Sequence, residues 1–430
     1  MSGNKAILDT NTIIFASKQQ LDIEKLLVKY DYFLLYMKIF KSKKKVGNLC
    51  CETTKPTFKH DNIPSDGRFE TKIGEIFEKS ANRVNTKWNL ARKKMFFSLV
   101  FSVIELRNVH FTELALKINP LVETESNLRR IQMFFSDYDV DYRVIAVLLM
   151  GFIDQKQCRL SIDRTNWKFG SQDINFLVLT VYYKGVGIPI LFHLLDKKGN
   201  SNHQERIDIL GEFIEIFGRD RILSVVGDRE FIGKKWLKWL INKQIEFSIR
   251  VPKSHQVTLK NGQVFKVEDL LSEQSERYFK DVIIDDVRVN IAMKTLPDDY
   301  LIVIGTRNPK KLFQDYKYRW SIETFFQSIK ERGFNMENTH LQILDRLKKL
   351  FAIIAVAFVF CLHLGIHHHG KVQEIKTKNH GYKANSFFRK GLDKWRRVCV
   401  FTKEKKDQFE LYAIVLFDIF NKNLIRFACR

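Results

Sequence analysis

The stretch "CRLSIDRTNWKFGSQDINFLVLTVYYKGVGIPILFHLL", residues 158–195, has the pattern from which the architecture of this chain can be derived. It contains three apolar runs rich in branched and aromatic side chains, "CRLSID", "INFLVLTVYY" and "IPILFHLL", with turn residues such as "KGVG" between them. Runs of this composition between turns are typical of β-strands. The stretch therefore predicts three consecutive strands, and Asp163 is expected to close the first of them.

Downstream of these strands the pattern alternates between helix and strand. A helical segment over 202–217 precedes the apolar strand "RILSVVGD", and a second helix over 231–243 precedes the strand "IEFSIRV". Residues 253–307 return to short strands and include an Asn-Gly pair of the kind found in hairpin turns. Three strands followed by this alternation predict an α/β sheet with a β-rich insertion.

The composition indicates a globular protein with a polyanionic partner. The chain has 430 residues, of which 45% are apolar and 28% charged, so two or three domains with real cores are expected. Its formal net charge of +23 favours binding to phosphates. A membrane surface would attract the same charge. The third interpretation is a soluble protein that is merely basic.

The cysteines and the apolar runs favour a soluble, cytoplasmic protein. The 6 cysteines show no regular spacing, which is typical of free thiols in a reducing compartment. No signal pattern is found at the N-terminus. The longest uncharged apolar run, 350–362, is shorter than the roughly 20 residues of a spanning helix. We therefore expect a buried core helix there and no membrane partner.

The remaining segments differ in pattern. Residues 1–66 contain no arginine, and we interpret them as a leader and linker, inside or outside the functional unit. Short helical patterns with Arg129 and Arg130 predict a helical DNA-binding domain, or equally a helical cap on the next domain. The predicted segments are 1–66 (leader), 67–155 (helical domain), 156–252 (core, first part), 253–307 (insertion), 308–365 (core, second part) and 366–430 (basic C-terminal region).

A second stretch, "DYKYRWSIETFFQSIKERGFN" at 315–335, places one acid among bases and aromatic residues. Asn308 suits a helix cap, the proline after it suits a first turn, and Gly333 supplies a stop, so we predict one helix over 310–332. At roughly 100° per residue, four polar side chains then form one narrow stripe. They are Tyr316, Arg319, Glu323 and Lys330. The alternative is an ordinary amphipathic helix with solvated charges.

Two aspartates upstream could complete a site with Glu323. Asp163 and Asp228 each end a predicted apolar strand. Ligands and catalytic groups of open α/β sheets lie at the carboxyl ends of strands. Carboxylate oxygens are the hard ligands that paired Mg²⁺ ions need for chemistry on phosphodiesters. Taken singly, each aspartate is more often a turn residue or a helix cap.

These motifs together resemble the transposases of the insertion-sequence four family, which are DDE recombinases of ribonuclease-H-like fold. "DRTNW" at 163–167 resembles the family's first-aspartate motif, and "GDREF" at 227–231 resembles the second. "YKYRWSIETFFQSIK" reproduces the family's Y-x2-R-x3-E-x6-K signature without a gap. "RGFNMENTHL" and "GYKANSFFRKGLD" further downstream are also similar, so the resemblance extends over about residues 80–405. It implies an α/β fold with a ribonuclease-H-like mixed sheet flanked by helices, interrupted by a β-rich insertion and preceded by a helical domain.

The resemblance also implies a mechanism. Asp163, Asp228 and Glu323 would hold two Mg²⁺ ions, for which Mn²⁺ can substitute. These would cut the ends of an element in double-stranded DNA and join its 3′ ends to a target. Tyr316, Arg319 and Lys330 would hold phosphates near the cleaved terminus. A homodimer on paired ends is the implied assembly.

One departure concerns the cleavage route. Hairpin-forming members of the family hold a flipped base with a tryptophan from the insertion, but no tryptophan occurs here between Trp239 and Trp320. Tyr278, Phe279 or Tyr300 could substitute by stacking on the base. The hairpin route therefore stays open.

Other residues have simpler interpretations. His363 and the run "HHH" at 367–369 suggest a metal cluster, but Gly365 is expected to end that helix and no acid or cysteine completes the set. Trp236 and Trp239 fit the core better than base stacking. Glu230 fits a helix cap better than an extra metal ligand. The basic segment 371–406, interleaved with Tyr382, Phe387, Phe388 and Trp395, predicts nonspecific DNA contact rather than a merely solvated face.

Three functions compete on the sequence. The leading hypothesis is an active DDE transposase. A structure-specific nuclease on the same fold would cut without joining, and a transposase-derived DNA-binding protein would no longer cut at all. The complete set of Asp163, Asp228 and Glu323 favours activity.

Overall fold

The computed structural model describes residues 72–170, 172–271, 276–297, 299–330, 332–379, 381, 383–399 and 403–428. The predicted leader, 1–66, lies outside this part of the chain. Five helices come first along the described chain. They are α1 (Lys72–Arg83), α2 (Leu90–Leu106), α3 (Phe111–Ile118), α4 (Thr124–Asp137) and α5 (Tyr142–Met150).

The helices of the N-terminal region pack through aromatic side chains. Phe96, Phe97 and Phe101 of α2 are fully buried, and Phe97 stacks on Phe360 with ring centroids 6.3 Å apart. Asn89 caps α2 by accepting a hydrogen bond from the amide of Ala91. Burial of large aromatic rings contributes strongly to stability. These rings belong to the same hydrophobic core as the buried residues of the β-sheet, so the helical layer and the sheet stabilise each other.

The apolar runs identified in the sequence form the strands of the predicted sheet. Its first five strands are β1 (Cys158–Phe169), β2 (Gln172–Tyr183), β3 (Val186–Leu194), β4 (Ile222–Gly227) and β5 (Phe247–Arg250), with α6 (His203–Phe217) before β4 and α7 (Lys234–Asn242) before β5. β1, β2 and β3 pair antiparallel, while β4 pairs parallel with both β1 and β5. An antiparallel three-strand meander continued by parallel strands with crossover helices is the ribonuclease-H-like arrangement. The predicted fold class is confirmed.

The insertion joins this sheet. It consists of β6 (Gln256–Thr258), β7 (Val264–Lys266), β8 (Glu276–Ile284), β9 (Val287–Thr295) and β10 (Tyr300–Gly305). β10 pairs antiparallel with β5, so the ten strands have the order β3-β2-β1-β4-β5-β10-β9-β8-β6-β7. The insertion therefore extends the core sheet instead of forming a separate layer.

The prediction of one continuous helix over 310–332 is wrong, because the helix is interrupted and ends earlier. The chain forms α8 (Pro309–Tyr316), a 3₁₀ turn over Lys317–Arg319 and α9 (Trp320–Ile329). The Asn308 cap is as expected, since its side chain accepts from the amide of Lys310. At the other end, the amides of Gly333 and Asn335 both donate to the carbonyl oxygen of Lys330. This tight turn ends the helix before Lys330.

The buried helix predicted around 350–362 is α10 (Leu344–Lys371). It is long and apolar enough to cross a membrane by length and composition, but 89% of its most apolar window is buried inside the protein. Gly365 does not end it, contrary to the prediction. A Cβ there would lie 1.8 Å from the carbonyl oxygen of Phe387 in α11 (Phe387–Val398), so glycine permits a close helix crossing.

The C-terminal region consists of α11 and α12 (Lys403–Ala428). The aromatic residues predicted to contact DNA are largely inside the protein: Trp395 is fully buried and Phe388 nearly so. Trp395 donates its indole N–H to the carbonyl oxygen of Phe360. This interpretation of Phe388 and Trp395 was wrong, because the apolar face of α11 packs on α10. Tyr382 lies outside the described residues.

Candidate active site

Asp163 lies in the middle of β1 and does not close it, contrary to the prediction. β1 continues to Phe169, and Asp163 pairs with Val178 of β2. The parallel ladder between β1 and β4, however, ends at the pair Ile162 and Gly227. Asp163 is therefore the first β1 residue beyond that ladder, because β1 continues while β4 stops.

Asp228 follows the last residue of β4 and begins a 3₁₀ turn over Arg229–Phe231. Ile162 and Gly227 are partners, so Asp163 and Asp228 are the next residues on two adjacent parallel strands. Such strands lie about 4.8 Å apart. The sheet thus brings together two carboxylates that are 65 positions apart in the sequence. This is the carboxyl edge at which α/β sheets place their ligands.

Glu323 reaches the same place from the first turn of α9. Arg319 links it to Asp163: one guanidinium nitrogen lies 2.6 Å from Oε1 of Glu323 and another 3.5 Å from Oδ2 of Asp163. The Arg319 side chain is only 11% exposed, so these ion pairs are largely shielded from solvent. Arg319 offsets part of the negative charge that the three acids bring together.

Tyr316, at the end of α8, contacts the second aspartate, Asp228. Its hydroxyl donates a hydrogen bond to Oδ1 of Asp228 at 3.2 Å, and its ring is buried. Burial raises the pKa of Tyr316 to about 12, and the charge of Asp228 acts in the same direction. The hydroxyl therefore stays protonated at neutral pH and orients the Asp228 carboxylate.

Asp163 is the carboxylate with the least favourable surroundings. The pKa of Asp163 is raised to about 7, mainly by burial and also by the charges of Glu230 and Asp228. The hydrogen bond from the amide of Arg164 and the charge of Arg319 lower it in part. The side chain is 19% exposed. A buried, repelled carboxylate of this kind gains most from a cation, because a positive charge removes both penalties.

A network behind the acids fixes their backbone. Arg164 makes ion pairs with both oxygens of Glu230, the shortest at 2.7 Å, and donates to Oδ1 of Asn175 and to the carbonyl oxygen of Gly199. Ser201 also donates to Glu230. Arg164 comes directly after the first aspartate and Glu230 two residues after the second, so this pair ties β1 to the turn that carries Asp228.

Glu230 is thus neither the helix cap nor the metal ligand considered from the sequence. Its carboxylate is taken by Arg164, and α7 begins only at Lys234. Sequence reasoning missed this role. The signal was present, because an arginine follows the first aspartate and a glutamate stands two residues after the second, but only the sheet shows that they meet.

Lys330 lies apart from the other signature residues. It is the residue after α9, with a non-helical backbone, and its ammonium pairs with Glu337 at 2.6 Å. The predicted stripe therefore holds for Tyr316, Arg319 and Glu323, which meet at the acids, but not for Lys330. Its predicted contact with DNA phosphates stays a prediction, as do those of Tyr316 and Arg319.

The donor chemistry fits divalent cations, although the three acids are not gathered around one point. Among the described residues, no group of three or more His, Cys, Asp or Glu side chains is placed to hold a metal ion. Arg319 lies between Asp163 and Glu323 and accounts for this. The hard oxygens of Asp163 and Asp228, and the raised pKa of Asp163, suit Mg²⁺ or Mn²⁺. Glu323 would have to exchange Arg319 for the metal.

Several residues outside the acidic site have clear positions. Trp236 is fully buried and stacks on Trp239 with centroids 5.7 Å apart, so its predicted core role is confirmed. His363 is also buried, in contact with the rings of Phe152 and Tyr183. Complete burial lowers the pKa of His363 to about 3, so it is neutral at physiological pH.

The aromatic residues near the site differ in exposure. Trp320, next to Arg319, is 61% exposed and was not considered from the sequence. Tyr278 contacts Phe313 and its hydroxyl bonds to Glu276, while Phe279 and Tyr300 pack against the core. Trp320 is thus the most exposed of these rings and the one adjacent to a residue of the acidic site.

The comparisons with known proteins include a family match over the residues of this site. Residues 154–360, which include Asp163, Asp228 and Glu323, match the family model described as "Transposase DDE domain". A piggyBac transposase, determined by cryo-EM in a synaptic complex with hairpin DNA, is a similar solved structure: the identity is 10%, the TM-score 0.42, and the likeness covers 83% of this chain and 81% of that chain. A search of curated proteins found no match. The family match supports a transposase of the DDE class, a class that generally uses divalent metal ions.

Proposed function

We propose that the chain is a transposase that binds the terminal inverted repeats of an insertion sequence, cleaves the ends and joins the 3′ ends to target DNA. The observation that carries the proposal is the meeting of Asp163, Asp228 and Glu323 at one edge of the sheet, with Arg319 and Tyr316 in contact with them. The family match over the same residues supports it. The +23 charge suits duplex DNA as the partner. The finer assignment to the insertion-sequence four family rests on the Y-x2-R-x3-E-x6-K spacing.

Asp163, Asp228 and Glu323 would hold two Mg²⁺ ions, or Mn²⁺ in their place. Bound there, the ions would supply an activated water or DNA 3′-hydroxyl and would stabilise the leaving oxygen. The protein residues have separate tasks. Tyr316 orients Asp228, and the Arg164–Glu230 pair holds the backbone on which both aspartates lie.

Arg319 would exchange partners when DNA and metal bind. Its guanidinium now neutralises Asp163 and Glu323 and would have to leave them for these carboxylates to hold a metal ion. It could then bind a phosphate of the DNA terminus. Arginine suits this step because its planar fork pairs with carboxylate and phosphate alike. Lys330 would contact a further phosphate beyond α9. Exposed Trp320 offers a ring for stacking on a base next to the cleaved end.

The test is a cleavage and strand-transfer assay. Purified protein is incubated with the end DNA of its own element and a target plasmid, in Mg²⁺ and in EDTA. Metal-dependent nicks with joined products are expected, and a denaturing gel shows whether a hairpin forms. Cutting without joining would indicate a structure-specific nuclease instead. Folded protein that binds ends but does not cut would indicate a DNA-binding derivative.

The assembly is proposed as a homodimer on paired ends. The same protein, mixed with end DNA, is examined by light scattering. A mass equal to two chains and two DNA ends supports the proposal, and one chain per end contradicts it.

A further inference from the structure

Three arginines from two separate regions meet beside the turn that follows α9. Arg107 lies at the end of α2, and Arg389 and Arg396 lie on α11. We refer to these three residues as the guanidinium cluster. The N-terminal helices and the C-terminal region thus both contribute positive charge to one place, next to backbone of the signature segment.

Hydrogen bonds to backbone hold Arg107 in position. Its Nε donates to the carbonyl oxygen of Gly333 at 3.1 Å and its Nη2 to that of Arg332 at 3.2 Å. In return, the side-chain amide of Asn335 donates to the carbonyl oxygen of Arg107 at 3.3 Å. Arg107 itself has a φ of 57°, in the left-handed region that a non-glycine residue rarely adopts. The end of α2 and the turn after α9 are therefore fastened to each other.

The arginines of α11 are fastened in the same way. Nε of Arg396 donates to the carbonyl oxygen of Glu105 at 2.9 Å, and Arg389 pairs with Asp393 at 3.2 Å. Arg396 is exposed, and Arg389 is half-exposed. Donor groups of the cluster thus remain accessible to a ligand.

Like charges at this density repel one another. Burial lowers the pKa of Arg107, and the charges of Arg389 and Arg396 lower it further, while Asp393 acts in the opposite direction. The carboxylate of Asp393 does not offset three guanidinium groups. A cluster that the fold holds together against this repulsion would gain stability from a polyanion.

The position of the cluster relative to the acids suits DNA. Glu323 and Lys330 are seven residues apart along and just past α9, which corresponds to about 10 Å at 1.5 Å per residue. Arg332 and Gly333, whose carbonyl oxygens bind Arg107, follow in the next turn. A base pair advances the duplex by about 3.4 Å, so the turn to which the cluster is fastened lies roughly three or four base pairs from Glu323 along this direction.

We infer that the guanidinium cluster binds consecutive phosphates of a DNA duplex whose reacting phosphate lies at Asp163, Asp228 and Glu323. The inference rests on the proposed function for the identity of the reacting DNA. The duplex could be the element's own end or the target, since both present the same phosphates. Planar guanidinium groups suit phosphate oxygens because they pair with them through two parallel hydrogen bonds.

The experiment measures how DNA binding depends on salt. Full-length wild-type protein, the double variant Arg389→Gln/Arg396→Gln and the matched control Lys235→Gln/Lys243→Gln are titrated with a random-sequence duplex at several salt concentrations. Lys235 and Lys243 are exposed cations on α7 and at its C-terminal end, so the control removes the same net charge elsewhere. Melting curves establish that each variant is folded.

Each phosphate contact contributes about 0.9 to the slope of log K against log salt. The cluster variant is therefore expected to lose about 2 units of slope and roughly tenfold or more in affinity, with the control nearly unchanged. Equal slopes for the wild type and the cluster variant would overturn the inference, as would equal losses in both variants.

A second measurement does not depend on the variants folding. Arginines of the wild-type protein are labelled with phenylglyoxal, with and without the duplex, and the peptides are identified by mass spectrometry. DNA should protect the peptides that contain Arg389 and Arg396. Labelling that is unaffected by bound DNA contradicts the inference.

The two sources of phosphate are separated by the reaction stage. If the cluster holds the element's end, the cluster variant loses cleavage of intact ends. If it holds the target, precleaved ends are still bound but joining to a plasmid is lost. If the cluster variant loses salt slope but the wild-type protein never cuts DNA, the proposed function is refuted and only the phosphate contacts of the cluster stand.

Discussion

The acidic site and the guanidinium cluster each bring side chains of like charge together, but the charges are negative in the first and positive in the second. The acidic site gathers Asp163, Asp228 and Glu323 around one cation, Arg319, in largely buried surroundings. The guanidinium cluster gathers three arginines around one acid, Asp393, nearer the surface. Like-charge groups destabilise the fold that holds them, so each site is more stable with a ligand of the opposite sign.

The two sites also differ in how they are held. Side-chain ion pairs and one tyrosine hydroxyl position the acids, and the Arg164–Glu230 pair supports them from behind. Backbone carbonyl oxygens position the arginines, because Arg107 and Arg396 donate to Gly333, Arg332 and Glu105. We infer that the acids can exchange partners more easily, since only side chains must move, whereas the arginines form a fixed surface.

The largest effect is expected at Glu323. Glu323→Gln keeps the size of the side chain but removes its charge, and cleavage of end DNA should fall by about a thousandfold or more, the loss typical for one member of a catalytic unit. Binding of the same DNA should stay nearly unchanged, because the guanidinium cluster is intact. Gel cleavage and binding assays on one preparation measure both. Loss of folding and binding together would mean that Glu323 is structural.

Removing the support behind the acids should cost stability. Arg164→Gln leaves the Glu230 carboxylate, which is only 16% exposed, without its cation. Because an unpaired, largely buried charge is costly, the free energy of unfolding should fall by about 3 kcal/mol. Chemical denaturation measures this change. Lys234→Gln, which breaks an exposed ion pair with Asp286, is the control and should change stability little. Equal effects of both variants would show that the Arg164–Glu230 pair stabilises the fold no more than an exposed ion pair does.

Removing the charge of Asp163 should stabilise the metal-free protein. The pKa of Asp163 is about 7 in the folded state, above its value of 3.8 in a free side chain, so ionisation opposes folding. This penalty is full above pH 7, shrinks as the pH falls through 7 and is absent below about 4. Asp163→Asn should therefore raise the free energy of unfolding by up to about 4 kcal/mol at pH 8, since a difference of one pKa unit corresponds to about 1.4 kcal/mol.

The pH dependence is the check on this expectation. Thermal melts in EDTA should show the gain of Asp163→Asn at pH 8 and a much smaller gain at pH 5. A gain that is independent of pH would point to packing. A loss at pH 8 would mean that the ion pair with Arg319 outweighs the burial of Asp163.

The smallest effect is expected at Lys330, which lies between the two sites. Its ammonium pairs with Glu337 and is 30% exposed, so it can reach a phosphate at modest cost. Lys330→Ala should weaken binding to cleaved ends severalfold, about 1 kcal/mol, and binding to random duplex less. Competition titrations with the two DNAs measure the ratio. Equal weakening on both would make Lys330 a general phosphate contact that belongs with the guanidinium cluster.

Local patterns were sufficient for the elements and for the choice of acids. Apolar runs rich in branched and aromatic residues, separated by turn residues, predicted β1 to β5, and helical segments were predicted between them. The Asn308 cap and the buried α10 followed from local chemistry as well. The predictions failed where segments that are distant in the sequence pack against each other. Gly365 continues its helix because α11 crosses there, and Trp395 is buried by the same contact.

The residues that could carry the chemistry can be identified from the chain alone, since the spacing of Tyr316, Arg319 and Glu323 and the two aspartate motifs are visible in it. How these residues meet depends on how distant segments pack in the fold. The parallel register of β1 and β4 brings Asp163 beside Asp228, although the prediction that Asp163 closes its strand was wrong. The guanidinium cluster likewise combines residues from 107 to 396 that no local pattern connects. The physical reason is that periodicity and capping act within a few residues, whereas charge acts through space between whatever segments the fold brings together.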